Sequence, residues 1–569
     1  MRGKVEPGLI LLILSVIVLL TLVNAAPELQ FDFGTVRACM QRANKEFGPS
    51  SEDCLFLTVY SPPVSTATKK VMVYVPGGGF TEGGHRTYVP GSMVTENDVI
   101  VVITQYRLGA LGWISSGDDV LPGNLGLRDQ LLAISWVKSN IARFGGDPDD
   151  ITLFGLSAGG ISVSALALSP LAKGLFNSNG ENCRRESEKL PKRPRRTTET
   201  RKALSQVIAQ SGSAASKLAI NPNPREYLYR FAEQAGCKPR FFFPPLARQY
   251  HQNILDCLMR KDASELIFGM NPFSDSDPDA GNIFSTGLLY AAGFSPVVDG
   301  EVLPRTVKSM LADESYLRSN GVLDRPYIIG VTNNDAGLLA DIVTFIPGRP
   351  YYLLTVPSNV ARRVRAAAET QFRGTPSTEM LNVIDFAYTY PRNPDGSIPL
   401  QRVMDMTLDG LFLIPSMLYT RALADKVPVY FYLFDHYPQL KDPNSQFKGT
   451  SHAMDNLYLF DRPADPDLNL SFYANVYTAE SEPVPAVYRG ALSSFAKTGS
   501  PTFLTSTSPN SFGTWPRYDL QSQKYLAISA KPEVRREVYA QRVSLWLDFL
   551  PKLARNSFFS FSSDRAAYA

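Results

Sequence analysis

One twelve-residue stretch, Ile151 to Ser162 (ITLFGLSAGGIS), restricts what this chain can fold into more than any other. Ile151 to Phe154 are apolar or β-branched and follow the turn-rich GGDPDD, as a short buried strand would. After Gly155 the period changes, and SAGGISVSALAL has the small and apolar residues of a buried helix. Between them stand Gly155, Leu156, Ser157, Ala158 and Gly159, a Gly-x-Ser-x-Gly turn so sharp that only glycine fits on either side. Such a turn holds a serine hydroxyl at the end of a sheet and at a helix N-terminus. An ordinary glycine-rich turn could carry the same letters. The strand before and the helix after favour Ser157 as a nucleophile.

The flanking sequence extends the pattern. Val71 to Val75 (VMVYV) reads as a buried strand running into PGGGF, where glycines let backbone N–H groups approach a substrate oxygen closely. Asp98 to Tyr106 (DVIVVITQY) is the near-continuous Val/Ile run of a parallel-sheet strand. Then Leu127, Leu131, Ile134, Val137, Ile141 and Phe144 recur at threes and fours, one helix face closed by Gly145 and Gly146. Strand alternating with helix predicts a doubly wound α/β fold.

At 569 residues, 44% of them hydrophobic, the chain suits one large α/β domain with insertions. Arg2 and Lys4 precede an apolar run from Leu9 to Val23, and VNAAP offers small residues for cleavage near Ala25 or Ala26. We read residues 1–25 as a secretory leader, 26–555 as the domain and 556–569 as a tail, with no stable membrane anchor. Of five cysteines, Cys39 and Cys54 lie close in sequence, as do Cys237 and Cys257, so two local disulfides would leave Cys183 over.

Residues 178–205 are foreign to this pattern. They hold nine Lys or Arg against four Glu, a net +5, whereas the whole chain is +3, so the remainder is about −2. The segment has no apolar period and reads as a disordered basic insert. It contains no aromatic residue, which argues against a nucleic-acid partner. A solvated surface loop and an untranslated stretch read as coding both account for it, and RPRR at Arg193 to Arg196 also has the look of a dibasic processing site.

Several motifs in one order resemble the type-B carboxylesterases, the group that also holds cholinesterases and cholinesterase-like adhesion proteins. They are SEDCLFLTVYSP (Ser51 to Pro62), the GNLGLRDQ to FGLSAGG region, AQSGSA, PVVDG, VTNNDAGLL and GTSHAMDNLYLF. The resemblance runs from about Ala38 to about Leu550 and implies an α/β-hydrolase fold, a central mostly parallel sheet flanked by helices with helical and loop insertions. It implies Ser157 as nucleophile, His452 as base, Gly78, Gly79 and Ala158 as oxyanion-hole donors, and Cys39–Cys54 and Cys237–Cys257 as disulfides. His436 reads as structural, and His85 and His251 lie in loop-like contexts. Asp299, Asp409 and Asp455 read as structural or supporting groups outside the triad.

The acid departs from the family. Its usual Glu lies between Asp and Gly, and here that place holds Ala336, between Asp335 and Gly337. Ala336 cannot orient an imidazole, so activity is expected to be weakened unless a shift of one residue brings in Asp335, the candidate acid. Pro76 precedes the glycines where the family has His or Tyr, and Leu156 replaces a Glu before the nucleophile. The family's N-terminal strands are also absent, which would leave a sheet edge unprotected.

Met40 to Asp53 contains no Trp to hold a quaternary ammonium by cation–π attraction, so a general apolar carboxylic ester is favoured over a choline ester. The expected function is a secreted serine carboxylesterase acting on a small-molecule ester. The alternatives are a catalytically impaired binding or adhesion protein with a protein partner, and an acyltransferase using the same acyl-enzyme. No cofactor and no metal are expected, since there is no HExxH and no cluster of His and Cys. One glycosylation sequon begins at Asn469.

Overall fold

The computed structural model describes residues 18–22, 37–41, 48–63, 66–175, 205–216, 219–238, 247–268, 294–337, 357, 360–361, 376–437, 449–461, 481–505 and 511–557. Asn469, Cys183 and the RPRR site of the basic segment lie outside them. Ten strands form the central sheet: β1 (Val18–Leu22), β2 (Leu57–Ser61), β3 (Lys69–Val75), β4 (Val99–Thr104), β5 (Gly146–Leu156), β6 (Val207–Gln210), β7 (Tyr327–Thr332), β8 (Val429–Phe434), β9 (Lys524–Ile528) and β10 (Glu533–Arg536). Their order is β1-β2-β4-β3-β5-β6-β7-β8-β9-β10. Only β2–β4 and β9–β10 pair antiparallel; the other neighbours are parallel.

Parallel strands need both faces covered, and the sequence supplies that cover. Every residue of β4, β6, β7 and β8 is buried. In β3, Val71, Val73 and Val75 pack into one apolar cluster, and Met72 and Tyr74 into another on the opposite face. The helices that matter for the site are α1 (Leu125–Asn140), α2 (Ala158–Leu168), α3 (Pro224–Gln234), α4 (Ala247–Leu258), α5 (Leu400–Leu408), α6 (Ile414–Leu423), α7 (Asn456–Leu459) and α8 (Pro483–Thr498). α1 carries the predicted face: Leu127, Leu131, Ile134 and Val137 are buried, and the chain leaves through a 3₁₀ turn closed by Gly145 at φ 82°. Between α5 and α6 a five-residue π-helical step, Asp409–Leu413, breaks the α-helical register.

Two expectations are corrected. In the uncleaved chain the edge beyond β2 is not bare, because β1, drawn from the apolar run read as a leader, lies parallel on it from Val18–Leu57 to Leu22–Ser61; cleavage near Ala25 would take this strand away. His251 is not in a loop. It lies on α4 with no exposed surface, and its Nδ1 meets Asp118 Oδ2 at 2.6 Å while Nε2 meets the Tyr229 hydroxyl of α3 at 2.7 Å. The C-terminal helix Leu550–Ser557 also runs two residues into the expected tail.

Both disulfides form. Cys39–Cys54 spans 15 residues and Cys237–Cys257 spans 20, the second tying the loop after α3 to the end of α4. A cross-link stabilises chiefly by restricting the unfolded chain. Replacing Cys237 and Cys257 together by serine is expected to cost about 3 kcal/mol, read as a lower urea midpoint with a steeper slope, because the freed unfolded chain exposes more surface.

Candidate active site

The predicted turn is built by crowding. Ser157 follows β5, caps α2 and has φ 59° and ψ −122°, a region ordinary side chains avoid. Its N–H bonds the carbonyl of Gln210 at the end of β6 (2.9 Å). The backbone around it leaves no room for side chains. A Cβ on Gly159 would stand 1.9 Å from the carbonyl oxygen of Val75, and one on Gly212 would stand 2.1 Å from that of Ser157. A Cβ on Gly77 would stand 2.7 Å from the carbonyl oxygen of Leu156. Sheet, glycine loop and helix thus close around the serine with backbone alone, and Ser157 stays partly exposed.

The glycine loop follows β3 directly. Gly78 (φ 115°) and Gly79 (φ 58°) adopt left-handed backbone, and the Gly78 carbonyl accepts from the N–H groups of Thr81 and Glu82 (both 3.0 Å). Ala158, buried at the first position of α2, is the third expected donor. The structure brings this loop beside the serine turn, since a Cβ on Gly77 would stand 3.2 Å from that of Ser157.

The acid loop takes the shift of one residue that the sequence left open. Asp335, not a vacant alanine position, meets the histidine: His452 Nδ1 lies 2.9 Å from Asp335 Oδ1. The other oxygen of Asp335 accepts from Ser211 Oγ and from the Thr332 N–H (both 2.9 Å). Both partners are withdrawn from solvent, with side-chain exposures of 5% for His452 and 0% for Asp335. Ala336 faces the apolar core instead. The register is set by the neighbouring loop. Asn334 N–H bonds the Thr450 carbonyl (3.2 Å), Thr450 N–H bonds Asn333 Oδ1 (2.6 Å), and Asn334 bridges to Ser451 next to His452. A Cβ on Gly337 would stand 2.5 Å from Ser451 Oγ, so the two loops touch over a glycine.

Sequence reasoning missed two members of the site. Ser211, in the AQSGSA motif, adopts φ 42° and buries its hydroxyl against Asp335. Phe412, in the π-helical step, lays its ring 4.6 Å from that of His452. A π-turn in a long helix often marks a functional site, but no local sequence signal announces one. His436 is structural as expected, with Nε2 2.9 Å from Ser481 Oγ. His85 is buried, and that burial pushes its pKa down to about 4. Asp299 accepts from the Glu301 and Leu303 N–H groups, away from the triad. Asp409 lies buried against Tyr388 and Arg542, and its burial raises its pKa to about 7.

His452 Nε2 makes no hydrogen bond among the described residues, and no Ser157–His452 bond is formed. Catalytic hydrogen bonds are often long in the absence of substrate. With Nδ1 committed to Asp335, Nε2 is the nitrogen left to take and return a proton. Among the described residues no group of His, Cys, Asp and Glu is arranged to hold a metal, and no helix is long and apolar enough to cross a membrane.

A mostly parallel sheet with a strained serine after one strand, a glycine loop after a neighbouring strand and an Asp–His pair on two further loops defines an α/β-hydrolase. The chain belongs to the carboxylesterase family, whose model matches residues 34–179 and 196–546 and skips part of the basic segment. It is 29% identical to liver carboxylesterase B-1 of Rattus norvegicus over 520 residues, 88% of this chain and 78% of that one. It is 31% identical to bile salt-activated lipase of Homo sapiens over 503 residues, 84% of this chain and 57% of that one. Neuroligin-2 of Mus musculus is 28% identical over 552 residues, 88% of this chain and 56% of that one.

The acid loop yields a prediction with a definite sign. Ala336→Glu puts a carboxylate where the side chain has 0% exposure, so it is expected to cost roughly 3 kcal/mol of stability and to raise no esterase rate. Thermal unfolding and turnover of a short-chain p-nitrophenyl ester check both halves.

Proposed function

We propose that this protein is a serine carboxylic ester hydrolase. The observation that carries the reading is the 2.9 Å pairing of Asp335 with His452, in a chain that also holds Ser157 at positive φ after a sheet strand. Ser157 Oγ attacks the ester carbonyl carbon as its proton passes to His452 Nε2. The oxyanion lies toward the N–H groups of Gly78, Gly79 and Ala158, and Asp335 stabilises the imidazolium. His452 then gives the proton to the departing alkoxide, leaving an acyl-enzyme. Water attacks that ester, its proton goes to His452, and collapse returns Ser157 and frees the acid.

The substrate we propose is a general apolar carboxylic ester. The absence of Trp from Met40 to Asp53 speaks against a quaternary ammonium alcohol. The kinship with carboxylesterases and bile salt-activated lipase supports hydrolysis. The likeness to neuroligin-2 supports the other reading, a binding protein with a protein partner. That reading drew its force from a missing acid, and Asp335 takes this argument away.

A fluorophosphonate probe tests the reading, because it reacts only with an activated serine. The parent is expected to label and Ser157→Ala not to. Asp335→Asn is expected to lower kcat about 10⁴-fold. A folded parent that neither labels nor turns over an ester would move the choice to the binding protein.

We also place the protein in the secretory route, on the leader-like N-terminus and two disulfides. N-terminal sequencing of material from a secreting host is expected to begin between Ala25 and Pro27. Material that begins at Met1 would refute cleavage.

A further inference from the structure

We propose that Gln41 is a positioning residue for the oxyanion hole: its buried amide grips Gly83 by both backbone groups and so fixes the peptide that walls Gly78. The inference rests on the hydrolase reading above and deepens it.

The glycine loop needs support from outside. Five of the nine residues from Pro76 to Gly84 are glycine, so the backbone has wide freedom and its N–H groups stay aimed only if other groups hold it. Its own bonds close one turn, from the Gly78 carbonyl to the N–H groups of Thr81 and Glu82. Outside supports include the Tyr106 hydroxyl, which donates to the Pro76 carbonyl (2.8 Å), and the Gly109 N–H, which donates to the Phe80 carbonyl (2.8 Å).

Gln41 holds the far end, and it does so from two sides. Its Nε2 donates to the Gly83 carbonyl (2.8 Å), and its Oε1 accepts the Gly83 N–H (2.9 Å). The side chain is 3% exposed, so water does not compete for these bonds. The N–H it grips belongs to the Glu82–Gly83 peptide. The oxygen of that same peptide would stand 2.0 Å from a Cβ on Gly78. A Cβ on Gly83, which has φ 125°, would stand 2.5 Å from the Gly77 carbonyl oxygen. One peptide plane therefore joins Gln41 to the backbone of Gly77 and Gly78. Turning that plane drives the Glu82 oxygen into Gly78 or withdraws it, and the aim of the Gly78 and Gly79 N–H groups changes with it.

Gln41 is itself anchored. Its Nε2 also reaches the Cys39 carbonyl (3.2 Å), and Cys39 is bonded to Cys54. Gln105, just past β4, donates from Nε2 to the carbonyls of Cys54 (2.9 Å) and Arg37 (3.0 Å). The sheet and the disulfide thus set where the amide stands. The oxyanion forms only on attack, so a loss of aim weakens the transition state and leaves substrate binding alone.

The test uses Gln41→Ala and Gln41→Glu beside the parent, with kcat and KM for a p-nitrophenyl ester. It adds two inhibitors, an alkyl trifluoromethyl ketone and the matching alcohol. Ser157 Oγ bonds the ketone carbon, the carbonyl electron pair moves onto its oxygen, and the proton passes to His452; the alcohol cannot react in this way. Gln41→Ala is expected to lower kcat on the order of 10²-fold with KM within about twofold of the parent. Ketone binding is expected to weaken by a matching factor, and alcohol binding to stay as it was. In Gln41→Glu the neutral acid repeats the amide pattern, donating to the Gly83 carbonyl and accepting its N–H. The carboxylate instead turns a negative oxygen on that carbonyl, and burial favours the neutral form. The ratio of Gln41→Glu to parent kcat, in which the His452 titration cancels, is expected to climb toward one as the pH falls. A folded Gln41→Ala protein with parental kcat and ketone affinity overturns the proposal, whatever its thermal midpoint. So does a ratio independent of pH. An active parent with indifferent variants removes this inference alone; a parent that neither labels with fluorophosphonate nor turns over the ester removes the hydrolase reading and this inference with it.

Discussion

The Asp335 carboxylate has no surface on the solvent. A carboxylate in that position costs several kcal/mol unless every oxygen finds a partner of opposite charge or a donor. Here one oxygen meets His452, and the other meets the hydroxyl of Ser211 and the N–H of Thr332. Those partners come from the loop after β6, the last residue of β7 and the loop after β8, so three strand ends must sit at fixed heights for the charge to be tolerated. The parallel register of β6, β7 and β8 delivers that alignment. The site is in this sense a condition on the sheet rather than an addition to it.

Much of this architecture was legible in the sequence because it is repulsive in origin. The glycines at 155, 159 and 77 stand where any Cβ would strike a backbone oxygen, so their spacing announces the turn before any fold is known. The alternation in Val71–Val75 and the face of α1 were legible for the opposite reason, since apolar period maps directly onto burial. The acid was left open between a vacant Ala336 and a shift of one residue to Asp335. Counting back from Gly337 lands on Ala336, but the loop is placed by its bonds to Thr450 and Ser451, more than a hundred residues later. No local rule encodes such a contact. The same holds for Phe412, whose position depends on a π-turn, and for His251, whose polar partners come from two other segments.

The two buried acids near the histidine also differ in kind. Asp335 touches His452 and is answered by donors on both oxygens, whereas Asp455 touches tyrosines that remain protonated. Two negative charges in one dry region oppose each other, and burial adds to the effect on Asp455. The tyrosine hydroxyls soften that opposition without supplying a counter-charge.

The crowding at Gly77, Gly159 and Gly212 has a bearing on descent. A lineage that abandoned ester cleavage would be free to replace the side chain of Ser157, and those of His452 and Asp335 together. It would not be free at these glycines, where added carbon meets main-chain oxygen within 2.7 Å. The glycines therefore record common ancestry and are silent about present chemistry. The residue that speaks to chemistry is Ser211, whose strained backbone and buried hydroxyl serve a charged Asp335 and would be the first to drift once that charge had no work.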